Sequence, residues 1–433
     1  MINVFFIVII SALLLNFFLG LLADILNVKA AKQEVPGSLV GIYQPEEYQR
    51  SQEYLRVHTR FSLISGSVSL LLILAVWLTG TFNSLDQFIR GWGFIPLVNG
   101  LIFAGILAAA YGIVELPFNI YATFVIEQRF GFNKTSPRTF ILDMVKSTAI
   151  ALPLGGLLLA GVLALFQYAG SYAWLYAFVI VVLVSLIVSY VAPTWIMPLF
   201  NKFKPMPEGE LREAITNYTK SVKFSVSNLF IIDSSKRSTK SNAFFTGFGN
   251  NKRIALFDTL INQHTVPEIV AIIGHEVGHY KKKHVIQGLV ISMLNMLLVF
   301  FLLSIFLNSP GLFQSFRMQQ QSIYAGLLFF GLLYTPLELV LGIGIQALSR
   351  RNEYEADQFA ARTVPQPESM ITALKKLASH NLSNLTPHPL YVFLNYSHPP
   401  LLKRINAINE MKPHIMNGPG DCVGKKRNGI LFS

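Results

Sequence analysis

Two histidines and a glutamate lie close together at residues 275–279, where the sequence reads His-Glu-Val-Gly-His. If this segment is helical, His275 and His279 project from one face, one turn apart, and can bind a single metal ion. Glu276 lies between them, where a carboxylate can take a proton from a water that the metal activates. The alternative is a helix with satisfied surface histidines. The spacing favours a zinc site with Glu276 as the general base.

A catalytic zinc ion needs a third protein ligand and one position open to water. The segment 349–357 has the composition of a helix and carries three carboxylates. Glu353 and Asp357 are four residues apart and share a helical face, whereas Glu355 points away from it. We therefore predict Glu353 as the third ligand and Asp357 as the acceptor for the free N–H of a ligand histidine. The alternative is a solvated acidic face paired with Arg350.

The elements that would position these residues have recognisable signals. Residues 265–268, Thr-Val-Pro-Glu, form a capping box with proline in the first turn and predict the start of the histidine helix. Three runs with strand composition, at 228–232, 242–246 and 253–257, predict a small antiparallel sheet. Because the run 242–246 contains no proline, it can form an edge strand open to pairing. The proline-rich segment 198–207 predicts an irregular exit from the membrane.

The rest of the composition indicates a membrane protein. Hydrophobic residues make up 52% of the 433 residues and charged residues only 13%, against about 25% charged in a soluble protein. Apolar stretches without Asp, Glu, Lys or Arg lie at 1–23, 61–85, 91–114, 147–201, 284–316 and 318–337. A spanning helix needs about 20 apolar residues, so 147–201 holds two helices, broken near 168–172. The sequence therefore predicts seven transmembrane helices.

The net charge of +12 has a distribution that predicts topology. Nearly all of the 35 Lys and Arg residues lie in alternate connections between the predicted spans. The positive-inside rule then places the N-terminus outside and the C-terminus in the cytoplasm. No basic segment is interleaved with aromatic residues as in a single-strand binding surface, so we predict a lipid bilayer and no nucleic acid as partner. The single cysteine, Cys422, excludes a disulfide framework and a cysteine-based zinc cluster.

Four segments follow from the predicted spans and loops. They are 1–195 with transmembrane helices 1–5, 196–285 with the edge strand and the histidine helix, 286–349 with helices 6 and 7, and 350–433 with the third zinc ligand. Two carboxylates, Glu115 and Glu338, fall inside predicted spans. Intramembrane carboxylates normally face water or protein, so each is expected either to line a wet interior or to lie near the interface or pair within the bundle.

Several ordered stretches together resemble the type I CAAX prenyl protease family, which are polytopic membrane zinc metalloproteases. The resemblance covers about residues 38–412. The stretches that carry it are 126–135, 198–211, 241–247, 253–260, 275–279, 350–360 and 396–401. The family implies an all-α polytopic membrane protein of seven transmembrane helices with a cytoplasmic α+β, thermolysin-like zinc metalloprotease region. It also implies a large water-filled chamber that Glu115 and Glu338 would suit.

The resemblance also assigns roles to individual residues. It makes His275, His279 and Glu353 the ligands of one Zn²⁺ per chain and Glu276 the general base. Asn242 and Ala243 fall where thermolysin-like proteases keep an edge strand that binds the substrate backbone. His398 matches a histidine suited to stabilising the oxyanion, with a structural histidine before a Pro-Pro turn as the alternative. Arg404 is a weaker candidate for the same pocket.

The function implied is cleavage near the C-terminus of a peptide or protein substrate, with or without a prenyl group. The alternative is a heat-shock-type membrane quality-control metalloprotease without prenyl specificity, although that family usually has four spans. A transporter or an inactive scaffold is the remaining class.

The short connection between the sixth and seventh spans favours a bacterial member in the inner membrane; a eukaryotic member would lie in the endoplasmic reticulum membrane. Residues 413–433 match nothing in the family, and His284 is interpreted as the end of a basic stripe.

Overall fold

The computed structural model describes residues 2–31, 35, 37, 41, 44–226, 228–246 and 253–416. Within these residues, seven helical stretches are long and apolar enough to cross a membrane, which confirms the predicted number of spans. They are Val4–Ala30, Pro45–Leu78, Pro96–Glu127, Pro137–Tyr168, Gly170–Phe200, His284–Phe306 and Ile323–Thr363. The predicted break near 168–172 is also confirmed, because the α-helix of the fourth span ends at Tyr168 and the fifth span opens with a 3-10 turn at Gly170–Tyr172. Cys422 and residues 417–433 lie outside the described residues.

Long apolar helices and groups of shorter helices and strands make up the described chain. The helices are α1 (Val4–Ala30), α2 (Pro45–Leu78), α3 (Thr81–Arg90), α4 (Pro96–Tyr121), α5 (Pro137–Tyr168), α6 (Ala173–Val191), α7 (Met197–Phe200), α8 (Glu210–Ser221), α9 (Asp258–Gln263), α10 (Val266–Lys281), α11 (His284–Phe306), α12 (Pro310–Ser315), α13 (Ile323–Thr363), α14 (Glu368–His380), α15 (Pro389–Asn395) and α16 (Leu401–Met416). The strands are β1 (Phe203–Pro205), β2 (Asn228–Ile232), β3 (Ala243–Thr246) and β4 (Arg253–Phe257). Helices α4 and α6 each continue into a π-helix, at Ala122–Glu127 and Ala192–Ile196.

Helix α13 extends well beyond the apolar stretch from which the seventh span was predicted. The apolar stretch and its continuation end at Ser349, but the helix runs without a break to Thr363. Its last third carries polar and small residues, and several of these are buried against other helices. The membrane span and the acidic segment 350–357 therefore form one continuous element, which fixes Glu353 relative to the bilayer-facing part of the chain.

The sheet is mixed, so the prediction of a small antiparallel sheet is wrong. Its strand order is β1-β2-β4-β3, with β2 parallel to β4 and the other two pairs antiparallel. The added strand β1 lies in the segment that was predicted to be an irregular exit. Its Pro205 is tolerated because β1 is an edge strand with free positions that need no N–H donor. Strand composition reveals which residues are extended, whereas pairing order depends on where the chain crosses between strands.

Helix α10 begins at the predicted capping box and is buried along most of its length. The Thr265 N–H donates to Glu268 Oε2 at 2.8 Å, and the two residues form the reciprocal capping arrangement. Lys376 of α14 donates to the same Glu268 oxygen at 2.8 Å. Ten residues of α10 are buried, and its apolar side chains share one core with α8, α14 and the sheet. The helix that carries the two histidines is thus fixed at its start by a cap and along its length by packing.

Two glycines let α10 approach the last third of α13 closely. A Cβ atom on Gly278 would lie 3.1 Å from both the Cα and the carbonyl oxygen of Ala356, and one on Gly274 would lie 2.8 Å from Val364 Cγ1. Ala356 and Ala360 on the facing side are fully buried. Because backbone lies against backbone here, neither helix can yield to a larger residue by rotating a side chain.

The two intramembrane carboxylates lie on spans as predicted. Glu115 is partly buried on α4 and Glu338 is exposed on α13. Among the described residues, neither forms a salt bridge with a cation. Their predicted place along the lining of a wet interior stays a prediction.

Gly278→Ala is expected to push α10 away from α13 and to destabilise the protein, because overpacking at a rigid contact costs about 1–3 kcal/mol. The thermal midpoint and the metal content of the purified protein measure the effect, and both should fall. Gly331→Ala is the matched control, because a Cβ at this position of α13 meets nothing within 4 Å and alanine favours a helix by about 0.5–1 kcal/mol over glycine. Equal midpoints and metal contents in the two variants would contradict the close-packing explanation.

Candidate metal centre

The structure brings together the three residues predicted as metal ligands. His275 Nε2 and His279 Nε2 are 3.1 Å apart. Glu353 Oε1 lies 3.2 Å from His279 Nε2, and Glu353 Oε2 lies 3.5 Å from His275 Nε2. The two histidines come from consecutive turns of α10, and the glutamate comes from α13 across the glycine contact. In the described part of the chain, no other group of three such side chains has ligand atoms as close together.

The spacing of these atoms fits a tetrahedral metal ion. Ligands bound at about 2.0–2.2 Å in a tetrahedron lie about 3.3–3.6 Å from one another, and the three observed separations fall close to this range. Buried Glu353 Oε2 has no hydrogen-bond partner among the described residues. A buried carboxylate oxygen without a partner is costly unless something else binds it. The donor set of two imidazoles and one carboxylate is typical of catalytic zinc sites.

Asp357 contacts the far side of the His275 ring, as predicted. Its Oδ1 lies 2.8 Å from His275 Nδ1, which leaves Nε2 directed at the other ligands. Burial opposes charge on this imidazole, but Asp357 and Glu353 outweigh it and raise the pKa of His275 to about 9. A carboxylate at this distance favours a proton on Nδ1 and constrains the orientation of the ring.

Arg404 lies against the same carboxylate. Its Nε donates to Asp357 Oδ2 at 2.7 Å and its Nη2 to Asp357 Oδ1 at 2.6 Å, a bidentate pair. The guanidinium also approaches Glu353 Oε2 to 3.5 Å. Burial disfavours its charge, but Asp357 more than compensates and raises the pKa of Arg404 above its usual range. The predicted contact of Arg404 with substrate stays a prediction, and in the structure its hydrogen bonds to acidic side chains go to Asp357.

Glu276 is not part of the ligand set and faces open space beside it. Its side chain lines a cavity of about 570 Å³ together with Phe245 and His279, and residues of α11 and α13 form the rest of its wall. The carboxylate also lines a second cavity of about 150 Å³ on the other side. Burial raises the pKa of Glu276 above that of an ordinary glutamate. A carboxylate with raised proton affinity next to the ligands is suited to accept and return a proton.

His398 and Asn242 both line the smaller cavity, which also has an apolar wall from α14. His398 Nε2 is 3.4 Å from Glu353 Oε1, and its Nδ1 is 2.8 Å from Ser397 Oγ. Arg350 positions the loop before it by donating to the backbone oxygens of Val392 and Tyr396 at 3.1 and 2.7 Å. The alternative pairing of Arg350 with the acidic residues is therefore not what the structure shows.

Strand β3 is an edge strand of the sheet, as predicted for the run 242–246. Asn242 directly precedes it, and its carbonyl accepts from Phe257 N–H at 3.2 Å. Ala243 begins the pairing with β4, opposite Leu256. The Asn242 side chain is exposed and accepts from the Ala243 N–H at 2.8 Å. Both residues line the smaller cavity next to Glu276, so the strand lies within reach of an extended peptide at the metal site.

Sequence analysis missed His284. The structure buries this residue and places its Nδ1 3.1 Å from His279 Nδ1. Glu355, which was expected to point away from the ligand face, lies 3.4 Å from His284 Nε2. The signal in the sequence was a third histidine five residues after His279, with Tyr280 and three lysines between them.

Two family models match the chain in succession. A model of the CAAX prenyl protease N-terminal region, with five membrane helices, matches residues 24–202. A model of peptidase family M48 matches residues 205–412. The boundary between them falls where the fifth span gives way to β1, so the second match contains the predicted metal ligands and the last two spans.

Known proteins similar to this chain cover nearly its whole length. A CAAX prenyl protease 1 homolog of Arabidopsis thaliana is 36% identical over 384 residues, which is 87% of this chain and 90% of that protein. CAAX prenyl protease 1 of Saccharomyces cerevisiae is 31% identical over 414 residues, 88% of this chain and 90% of that protein. The crystal structure of S. mikatae Ste24p matches with a TM-score of 0.89 at 30% identity, covering 94% of this chain and 100% of that one.

Substitutions at this site are expected to affect the metal content and the peptidase activity differently. Substituting alanine for His275, His279 or Glu353 should lower the content from about one metal ion per chain, because each removes a ligand. Glu276→Gln should keep the ion and lose peptide hydrolysis by several orders of magnitude, because it removes only the base. Elemental analysis and a fluorogenic peptide assay on the same preparations measure the two properties. Full metal content in Glu353→Ala, or near-normal turnover in Glu276→Gln, would contradict the assignment.

Proposed function

Because this chain belongs to the CAAX prenyl protease 1 family of M48 peptidases, we propose that it is a zinc endopeptidase that cleaves prenylated C-terminal peptides. The family establishes a multi-pass membrane metalloprotease. The alternative of a heat-shock-type quality-control protease is not favoured, since the curated relatives are CAAX prenyl proteases. The single observation that carries the proposal is the convergence of His275, His279 and Glu353 beside the free carboxylate of Glu276.

Zinc is the metal that this donor set favours. Two neutral imidazoles and one carboxylate suit Zn²⁺, and three protein ligands leave a fourth position for water or substrate. When bound, zinc would polarise the scissile carbonyl and lower the pKa of the attacking water. Asp357 and Arg404 support the site from outside by holding the His275 ring in one orientation.

The residues around the ligands have different roles in the proposed reaction. Glu276 takes the proton of the attacking water, which its raised pKa favours, and returns it to the leaving amine, which is the stronger base. His398 lies on the far side of Glu353, where an imidazole N–H can donate to the oxygen that becomes negative. Asn242 and β3 offer free edge positions for the substrate backbone.

The two cavities support a substrate that has an apolar group beside the scissile bond. The larger one, of about 570 Å³, continues from Glu276 along α11 and α13, where most of its lining is apolar. Both helices form membrane spans, and Val285, Ile291, Ile345 and Leu348 give the cavity apolar surface for a lipid chain, interspersed with polar residues such as Ser292 and Asn295. The smaller cavity, of about 150 Å³, has Leu260, Met370 and Leu374 in its wall and has room for one aliphatic side chain. A prenylated cysteine followed by an aliphatic residue fits this pair of cavities.

The proposed orientation places the metal site in the cytoplasm. The charge distribution puts the N-terminus outside and the C-terminus inside. Under this orientation, the segments 196–285 and 350–433 are cytoplasmic and the segments 1–195 and 286–349 hold the spans. The inner membrane of a bacterium remains the predicted location, with the endoplasmic reticulum membrane as the eukaryotic counterpart, although the relatives described above are eukaryotic.

Prenyl dependence is tested with a farnesylated C-a-a-X peptide and its unprenylated twin. The farnesylated peptide should be cut after the modified cysteine with at least roughly tenfold higher kcat/KM, because the lipid adds apolar burial to binding. Mass spectrometry of the products locates the cut, and Glu276→Gln is the inactive control. Equal kcat/KM values for the two peptides would show that the protein is a metalloprotease without prenyl specificity.

The roles of Asn242 and His398 should separate in steady-state kinetics. Asn242→Ala should mainly raise KM, because it weakens capture of the substrate backbone, whereas His398→Ala should mainly lower kcat, because its donor acts on charge that forms in the transition state. Both variants are compared with wild type on one peptide at equal metal content. If both leave kcat and KM within about twofold of wild type, the proposed substrate position is wrong even where the zinc site is right.

The topology is tested with reporters at the two ends of the chain. A reporter fused after Ser433 should report a cytoplasmic location, and a tag before Met1 should be accessible only from the opposite side. The opposite result would turn the metal site away from the compartment where proteins are made, and would contradict the proposed orientation.

A further inference from the structure

His279 has an unusual neighbour at the ring nitrogen that faces away from the metal site. For His275 that neighbour is the carboxylate of Asp357. For His279 it is a second imidazole, since His284 Nδ1 lies 3.1 Å from His279 Nδ1. On its other side, His284 Nε2 lies 3.4 Å from Glu355 Oε2, and Arg351 Nε donates to the other oxygen of Glu355 at 3.1 Å. The four side chains form a line from the ligand set to the surface of α13.

The backbone holds His284 in this place. Lys283 lies in the left-handed region, with a φ of 61°, and the turn that it makes ends α10 and starts α11. His284 is the first residue of α11 and only 8% exposed. The left-handed region is uncommon for a residue other than glycine and persists where the surrounding structure requires it. The sixth span thus begins with an imidazole aimed at the metal-binding helix.

When a metal ion is bound, only one arrangement of protons gives every hydrogen-bond donor in this line of side chains an acceptor. An ion on His279 Nε2 requires the ring proton on Nδ1, which must then donate. His284 Nδ1 is the atom in its path and must accept, so the proton of His284 lies on Nε2. Glu355 Oε2 is the acceptor on that side. Every donor in the line therefore meets an acceptor, and neither ring leaves a nitrogen without a partner.

We propose that His284 is a positioning residue that fixes the tautomer and orientation of His279 for metal binding. It acts through His279 and does not itself bind the metal, and its ring also lines the larger cavity. The proposal rests on the zinc site proposed above. An imidazole accepts this hydrogen bond without placing a further negative charge beside the ligand set, where Glu353 and Asp357 already lie. His284 also ties the site to the sixth span, because the same residue starts α11 and orients a ligand on α10.

The test compares two amide substitutions of equal polarity. His284→Asn places an amide oxygen near the position of Nδ1, where it can accept from His279. His284→Gln reaches the position of Nε2 and leaves Nδ1 of His279 without its acceptor. The zinc dissociation constant of each full-length variant in detergent is measured by competition with a chromophoric chelator. Removal of such supporting hydrogen bonds typically weakens metal binding about 10–100-fold.

The expected result is a zinc dissociation constant within about threefold of wild type for His284→Asn and raised at least roughly tenfold for His284→Gln and His284→Leu. His264→Asn is the matched control, because His264 is equally buried and its Nδ1 faces the backbone oxygen of Leu260 at 3.2 Å; its zinc affinity should be unchanged. Equal dissociation constants for the Asn and Gln variants would overturn the proposal, even if His284→Leu does not fold. Absence of zinc binding by wild type would instead overturn the proposed zinc site.

Discussion

The close contact between α10 and α13 is the constraint on which the site depends. The two histidines and the glutamate are about 75 residues apart in sequence, and they meet because glycine on one helix faces alanine on the other. With backbones this close, a carboxylate from one helix reaches the imidazoles of the next without long, mobile side chains in between. Because α13 is also the seventh span, the same contact fixes the position of the metal-binding side chains relative to the membrane.

Both histidines predicted as ligands are held at the nitrogen that faces away from the metal site, but by different means. His275 has a carboxylate that is itself bound by Arg404 on α16, so three helices meet around one ring. His279 has His284 from the start of the sixth span. Rotating either ring would break its close contact with the side chain at that nitrogen, and this rigidity is what a catalytic metal site requires of its surroundings.

A second cluster connects the edge strand to the membrane spans. Lys240, two residues before Asn242, lies 2.9 Å from Glu127 Oε2 and also donates to Tyr54 Oη at 2.9 Å. Tyr54 in turn donates to Glu127 Oε1 at 2.6 Å. Tyr54 belongs to α2, and Glu127 ends the π-helix that follows α4. The polypeptide that leads into β3 is therefore held by the second and third spans, so the spans contribute to placing the strand that we propose binds the substrate.

The sequence by itself determined the elements and the chemistry that is local to one helix. Seven apolar stretches predicted seven spans because the bilayer sets the length that a helix needs, and the spacing of His275 and His279 predicted one shared face because an α-helix has a fixed period. Only the tertiary structure decided what meets across elements: the parallel pairing of β2 with β4, the engagement of Arg404 by Asp357, and the contact of His284 with His279. Residues 279 and 284 look unrelated along the chain because a helix turns about 100° per residue, which would separate them by about 140°. The left-handed turn at Lys283 interrupts that helix and brings the two rings together, and whether a lysine adopts such a turn is set by the packing of two long helices rather than by its neighbours in sequence.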